Sequence, residues 1–294
     1  MNENIKNLKI LVDQDMELFK YLSLKLTNKS KNNIKSLLIK EHVLVDEKII
    51  TKYNYLVRKG QIITIKTAQI NNKAIKNNID IIYEDKDLIV INKPAGLLSI
   101  ATKDEKNITA YKMVREYIKK NNKGLKIFVV HRLDKDTSGI LVFAKNENIK
   151  HLLQENWDTL VKVRGYIAIV EGNLDKPNNT IVSWLKETKT MLVYSSFIPN
   201  DGQKAITHYQ TIKSNHKYTM LSINIDTGRK NQIRVHMKDI GHNIIGDKKY
   251  GSKLNPIGRL GLHANRLEFI NPINKKTIHL EADLPSEFNN IFKN

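Results

Sequence analysis

Residues 131–146 read HRLDKDTSGILVFAKN and follow directly on the apolar run IFVV at 127–130. An apolar strand that leads into a dense polar cluster, with a second apolar strand from 139 to 144 right behind it, places the polar groups at the end of a sheet. The cluster holds Arg132, Asp134, Lys135, Asp136, Thr137 and Ser138: carboxylates, fixed cations and hydroxyls together. Gly139 permits a close backbone approach beside them. Such a cluster suits an active site on a rigid scaffold. Taken as a pattern alone, it suits a structural salt-bridge turn equally well.

The same rhythm of short β-like runs and polar turns continues on either side, with runs at 81–83, 88–91, 165–170 and 218–225. Helical periodicity is confined to a few stretches, notably 109–120 and 147–156. The implied main domain, 79–294, is α+β and built on a largely antiparallel sheet. Ahead of it, 67–78 (TAQINNKAIKNN) is polar and reads as a linker. Residues 8–66 form a smaller unit, with helical patterns at 17–26 and 32–40 and Ser30 placed to start the second. Val43-Leu44-Val45, a polar Asp46-Glu47-Lys48 turn and a β-rich close at 55–65 follow, Gly60 suiting a tight turn. Lys29, Lys31, Lys35 and Lys40 lie on or beside the second helix, spaced to share a face that meets either a phosphate backbone or solvent.

Across 294 residues, Lys and Arg number 49 against 30 Asp and Glu, a formal charge of +19. That balance favours a polyanionic partner, nucleic acid first; a composition biased towards Lys, Asn and Ile is the competing explanation. No cysteine occurs, which excludes disulfides, thiolate nucleophiles and thiolate-bearing zinc sites. The opening MNENIKNLKILVDQD lacks the apolar stretch of a signal peptide, and no segment approaches the roughly 20 apolar residues of a membrane span. A cytoplasmic protein is expected, and a monomer, since nothing in the chain suggests an interface.

HRLDKDTSG closely resembles the active-site motif of the bacterial RNA pseudouridine synthases that act on ribosomal RNA, the RluA/RluD-like group. Further blocks resemble that family in order: IIYEDKDLIVINKPAGLLS at 81–99, YIAIVEG at 166–172, KAITHY at 204–209, DTGRKNQIRVHMKDIGHNIIGDKKYG at 226–251, then Leu262-His263-Ala264 and Leu267-Glu268-Phe269. The resemblance spans 79–284. It implies the pseudouridine synthase fold, a mixed, largely antiparallel central sheet with flanking helices and a catalytic cleft. It implies Asp134 as catalytic carboxylate, Arg234 as the basic residue paired with it and Tyr166 as the active-site tyrosine. The 8–66 unit likewise resembles the small RNA-binding domain of the ribosomal-protein S-four type. Asn231 and Asn243 depart from the family pattern, where many members have histidine and proline; both departures bear on loop shape and RNA contacts.

The reaction implied is redox-neutral: uracil leaves C1′ of its ribose, turns over and rejoins through C5, which calls for no metal and no cofactor. Asp134 would either attack C1′ or remove a proton at C2′, and a guanidinium beside it would keep it ionised and oriented. Tyr166 would support the base by stacking and assist proton removal from C5, although a lone tyrosine on a strand is more often core. The uridine must leave its stack to be reached. Arg132, Lys31, Lys35, Arg229 and His236 are the expected RNA contacts, Arg132 filling the gap left by the base. His131, His236 and His263 lack metal-site spacing. Large-subunit (23S) ribosomal RNA is the expected substrate, with transfer RNA as runner-up. Two rivals keep the motifs but change the activity: a noncatalytic RNA-binding or ribosome-assembly protein, and a glycosidase using Asp134 and Asp136, which residues two apart on one turn serve poorly.

Overall fold

The computed structural model describes residues 8–27, 31–39, 42–65, 79–102, 108–121 and 124–293. The backbone divides into two compact units, Met1–Asn78 with Thr102–Glu105 and Ile79–Ala101 with Lys106–Asn294.

In the first unit β1 (Leu8–Leu11), β2 (Met16–Glu17), α1 (Leu18–Lys25), α2 (Lys31–Ile39), β3 (Val43–Val45), β4 (Lys48–Ile49), β5 (Leu56–Val57) and β6 (Ile62–Ile65) follow in order. β1-β6-β3-β4 form one antiparallel sheet, and β2 pairs with β5. Leu18, Tyr21, Leu22, Ile34 and Leu38 of the helices are buried against Val43, Val45, Ile63 and Ile65 of the sheet. β3 and β4 are joined through Asp46 and Glu47 at φ 46° and 65°, the left-handed pair that matches the twist of a tight hairpin. Ser30, Lys29 and Lys40 lie outside the described residues; Lys31 and Lys35 are exposed on α2.

The second unit contains β7 (Ile81–Glu84), β8 (Leu88–Lys93), α3 (Ala110–Asn121), β9 (Phe128–Val129), β10 (Ser138–Ala144), α4 (Glu147–Glu155), α5 (Trp157–Leu160), β11 (Val161–Glu171), β12 (Asn178–Glu187), β13 (Val193–Ser196), β14 (Gln203–Ser214), β15 (Tyr218–Ile225), α6 (Gln232–Asp239), a 3-10 turn (Lys248–Tyr250), β16 (Leu262–Ile270), β17 (Thr277–Glu281) and α7 (Ser286–Asn290). Its sheet runs β13-β12-β14-β15-β11-β16-β10-β8-β7, with β17 added to β16 and β9 to β10. All its ladders are antiparallel except β10 with β16. The expected largely antiparallel sheet is present.

β11 is apolar on both faces, which is why 166–170 read as a continuous run. Ala168 and Val170 pack with Leu221, Ile223 and the α6 residues Ile233 and Met237, whereas Ile167 and Ile169 pack with Met220, Ile245 and Phe288. The strand expected at 127–130 shortens to β9. Only the far end of β10 is free to receive it, Phe143 and Ala144 pairing with Val129 and Phe128, because Ser138 and Gly139 on the same edge pair with His263 and Ala264 of β16. Gly139 is required at that junction: its φ is +113°, and a Cβ there would lie 2.1 Å from the Ala264 carbonyl oxygen.

Candidate active site

The segment between β9 and β10 has no regular structure of its own, so its shape comes from the contacts that clamp it. His131 Nε2 accepts from the Val142 N–H at 3.2 Å, and its ring lies 5.0 Å from that of Trp157. Both backbone groups of Leu133 are met by the Ser99 hydroxyl, which accepts at 3.1 Å and donates at 2.9 Å. The fully buried Lys93 ammonium donates to the Pro94, Leu97 and Lys135 carbonyls at 3.0, 2.7 and 3.0 Å. The Thr137 N–H closes a turn onto the Asp134 carbonyl at 3.2 Å. Lys93 thus ties the turn of the NKPAG block to the Asp134 turn. Burial brings its pKa down to about 7, against the pull of Asp136.

Asp134 stands at the mouth of this clamp with its side chain 31% exposed, and its Oδ2 accepts from Arg234 Nη1 at 3.2 Å. Arg234 projects from α6, itself seated on the sheet by Ile233 and Met237. The guanidinium is buried and shared. Nε and Nη2 each donate at 2.7 Å to the two oxygens of Asp247, a bidentate pair with the Asp247 side chain only 1% exposed. Nη1 also donates to Asn231 Oδ1 at 3.1 Å, Asn231 Nδ2 donates to the Tyr250 hydroxyl at 3.0 Å, and the guanidinium lies 5.1 Å over the Tyr250 ring. Burial opposes the charge of Arg234, but the Asp247 carboxylate outweighs it with Asp134 adding, and the group is held above its ordinary pKa. Arg234 is therefore a permanent cation, anchored on one carboxylate and presenting its remaining donor to another that faces outward.

Tyr166 is half-buried on β11, packed against the Leu221–Ile223 core and close enough to Asp134 to feel its charge. Burial pushes its hydroxyl up to about 12, Arg164 working the other way and Asp134 reinforcing the rise. At neutral pH the hydroxyl is protonated, so that Tyr166 offers a hydrogen-bond donor and a ring surface. The structure thus gathers Asp134, Arg234 and Tyr166, which come from three distant sequence blocks, into one electrostatic neighbourhood. Arg132 is exposed, two residues ahead of Asp134 in the chain. Arg229 is exposed ahead of α6, its Nε donating to the Lys204 carbonyl at 3.1 Å.

His236 corrects an expectation. It is fully buried on the inner side of α6, with Nε2 2.9 Å from the Ser183 hydroxyl, and burial lowers its pKa to about 4; it is a neutral packing group out of reach of RNA. His263 is also fully buried and likewise brought to about 4, again chiefly by burial. Asn231, the first departure from the family pattern, takes the left-handed position before α6 at φ 55° and bridges Arg234 to Tyr250. The second, Asn243, has a buried Oδ1 without a partner among the described residues, and nothing in the structure accounts for it.

Sequence reading missed Asp247, Lys93 and Ser99. Asp247 sits inside the GDKKYG run, where an aspartate before a short turn reads as a cap, and it does accept the Tyr250 N–H at 3.3 Å. Only the fold reveals its second role. Among the described residues no group of three or more potential metal ligands converges, and no helix is long and apolar enough to cross a membrane.

The sequence profile of the family described as RNA pseudouridylate synthase matches residues 87–239. The chain is 33% identical to the ribosomal large subunit pseudouridine synthase D of Buchnera aphidicola, over 88% of each chain. It is 32% identical to the tRNA pseudouridine synthase C of Haemophilus ducreyi, over 73% of this chain and 94% of that one. Among solved structures, human RNA pseudouridylate synthase domain containing 4 superposes with a TM-score of 0.61 at 25% identity, covering 75% of this chain and 93% of the other.

Proposed function

Because this chain belongs to the RNA pseudouridine synthase family, we propose that it isomerises uridines of large-subunit ribosomal RNA, with Asp134 as the reacting carboxylate. The observation that carries the site is the shared guanidinium. A protein that only bound RNA gains nothing from a carboxylate held at a polyanion's surface by a buried arginine, whereas a group that must act on ribose as an anion needs such a partner.

The residues divide the work. Asp134 acts at the sugar while the N1–C1′ bond breaks; the uracil turns over; the C5–C1′ bond forms, C5 gives up its proton to solvent and N1 takes one up, so that the product is an isomer of uridine. Arg234 keeps the carboxylate ionised and aimed, and Asp247 keeps Arg234 in place. Tyr166 offers the base a ring face, and its protonated hydroxyl donates to a uracil carbonyl. Exposed Arg132 meets the RNA where the base has left its stack.

For the substrate, the relative named for the large ribosomal subunit matches over 88% of this chain and the one named for transfer RNA over 73%. In the first unit, Lys31 and Lys35 are exposed on α2, which supports reading that unit as an RNA-binding domain of the S-four type whose lysines would meet phosphates. Two experiments test the reading. Asp134→Asn should abolish isomerisation while RNA affinity survives; persisting activity sinks the assignment. Pseudouridine mapping of RNA from cells with and without the gene should show a lost large-subunit position; a loss confined to transfer RNA replaces the substrate.

A further inference from the structure

The Asp134 turn is gripped from behind by a second arginine, Arg259, which lies just ahead of β16 and takes no part in the contacts made by Arg234. Its Nη2 donates to the Ser138 hydroxyl, and Ser138 in turn is 2.8 Å from Nδ1 of the buried His263. Ser138 is the first residue of β10 and directly follows the turn that Thr137 closes onto Asp134. A shift of Ser138 therefore reaches Asp134 across one turn. Immediately beyond it, Gly139 abuts Ala264 with no room for even a methyl group, so the strand cannot slide to compensate.

Arg259 is itself fixed from the C-terminal end of the chain. Nη1 donates to Glu287 Oε1 at 3.4 Å, and the guanidinium lies 5.3 Å over the ring of the fully buried Phe288, both residues of α7. Asp136 faces it electrostatically from the turn, and so does Lys93, whose ammonium holds the Lys135 carbonyl. Arg259 is partly buried, its side chain 18% exposed; withdrawing a guanidinium from water is costly, and an apolar side chain would pack the same space with no desolvation penalty. What the guanidinium adds is direction. As a pure donor it makes the Ser138 oxygen an acceptor, while the direction of the Ser138–His263 contact follows the tautomer of the ring.

We infer that Arg259 is a positioning residue for the isomerisation, setting the Asp134 turn through Ser138, and that α7 is part of the catalytic unit because Glu287 and Phe288 hold Arg259 in place. The inference rests on Asp134 as the reacting carboxylate.

The test uses the full chain and measures kcat and KM from tritium released at C5 of uridine in large-subunit ribosomal RNA purified from cells lacking the gene. Arg259→Met, which keeps the bulk over Phe288, should lower kcat about ten- to a hundred-fold, with KM within about threefold of wild type. Ser138→Ala should lower kcat by a comparable factor. The double variant should match Arg259→Met within about twofold, since Arg259 reaches the turn through Ser138. Unchanged kcat, a loss confined to KM, or multiplying effects overturn the inference. Should Arg259→Met not fold, Glu287→Gln at the exposed rim takes its place: kcat should fall about two- to fivefold at constant KM, and wild-type kcat overturns the inference. Failure of the underlying reading looks different, since Asp134→Asn would then release tritium at the wild-type rate whatever the Arg259 variants do.

Discussion

Replacing Asp247 by asparagine separates the residue that holds Arg234 from the one that uses it. The Asp247–Arg234 pair is bidentate at 2.7 Å, with side chains 1% and 10% exposed. At an effective dielectric constant of about 20, unit charges about 4 Å apart attract by about 4 kcal/mol, in line with the roughly 3–5 kcal/mol lost when one partner of a buried pair is removed. In a chain of this size each kcal/mol moves Tm by about 2–4 °C, so Asp247→Asn should lower Tm by roughly 6–20 °C at neutral pH. Asp134→Asn removes a single 3.2 Å contact from a carboxylate that is 31% exposed. Solvent screening limits that pair to about 1 kcal/mol, and Tm should stay within about 4 °C of wild type. Calorimetry of the two variants beside wild type, with tritium release measured on the same samples at a temperature where both are folded, gives the comparison. Asp134→Asn should be stable and inactive, Asp247→Asn destabilised with reduced kcat. Equal loss of Tm from both, or a change under about 3 °C for Asp247→Asn, would refute the division of labour between the two carboxylates.

Gly139→Ala should cost more than about 2 kcal/mol in denaturant unfolding, since a methyl at φ +113° meets the Ala264 carbonyl at 2.1 Å; a neutral result means that β10 and β16 are farther apart than described. His131, His236 and His263 have folded-state pKa values of about 4 against an ordinary 6.5. The unfolded chain therefore binds protons that the folded one does not, and stability present above pH 6.5 drains away as pH falls towards 4. Tm against pH should show that decline, and His236→Gln should flatten it; a slope unchanged by the substitution removes His236 from the cause. Lys31→Ala with Lys35→Ala should weaken RNA binding and reduce the slope of log affinity against log salt by about two, with kcat unaltered. An unaltered slope would show that α2 meets solvent instead.

Sequence alone was enough for the class of fold and for the reaction, because both are written in local patterns: period-2 apolar runs that mark strands, and ordered motifs that carry Asp134, Tyr166 and Arg234. The hairpin at Asp46-Glu47, the helices α1, α3 and α4 and the strand β15 were legible for the same reason. Three things depended on tertiary structure. The first was strand extent: β9 is two residues long because β16, arriving from far along the chain, already occupies part of the β10 edge. The second was burial: His236 shares a helix with exposed residues, and only the packing of α6 on the sheet turns it inward and removes it from the RNA contacts. The third was the set of groups that hold the site, namely Asp247 on Arg234, Lys93 and Ser99 on the Asp134 turn, and Arg259 on Ser138. No spacing rule links a carboxylate, a lysine or a serine to a partner on another element. A motif carries the residue types a site is made from, and the folded chain decides which groups surround each of them and how firmly it is held.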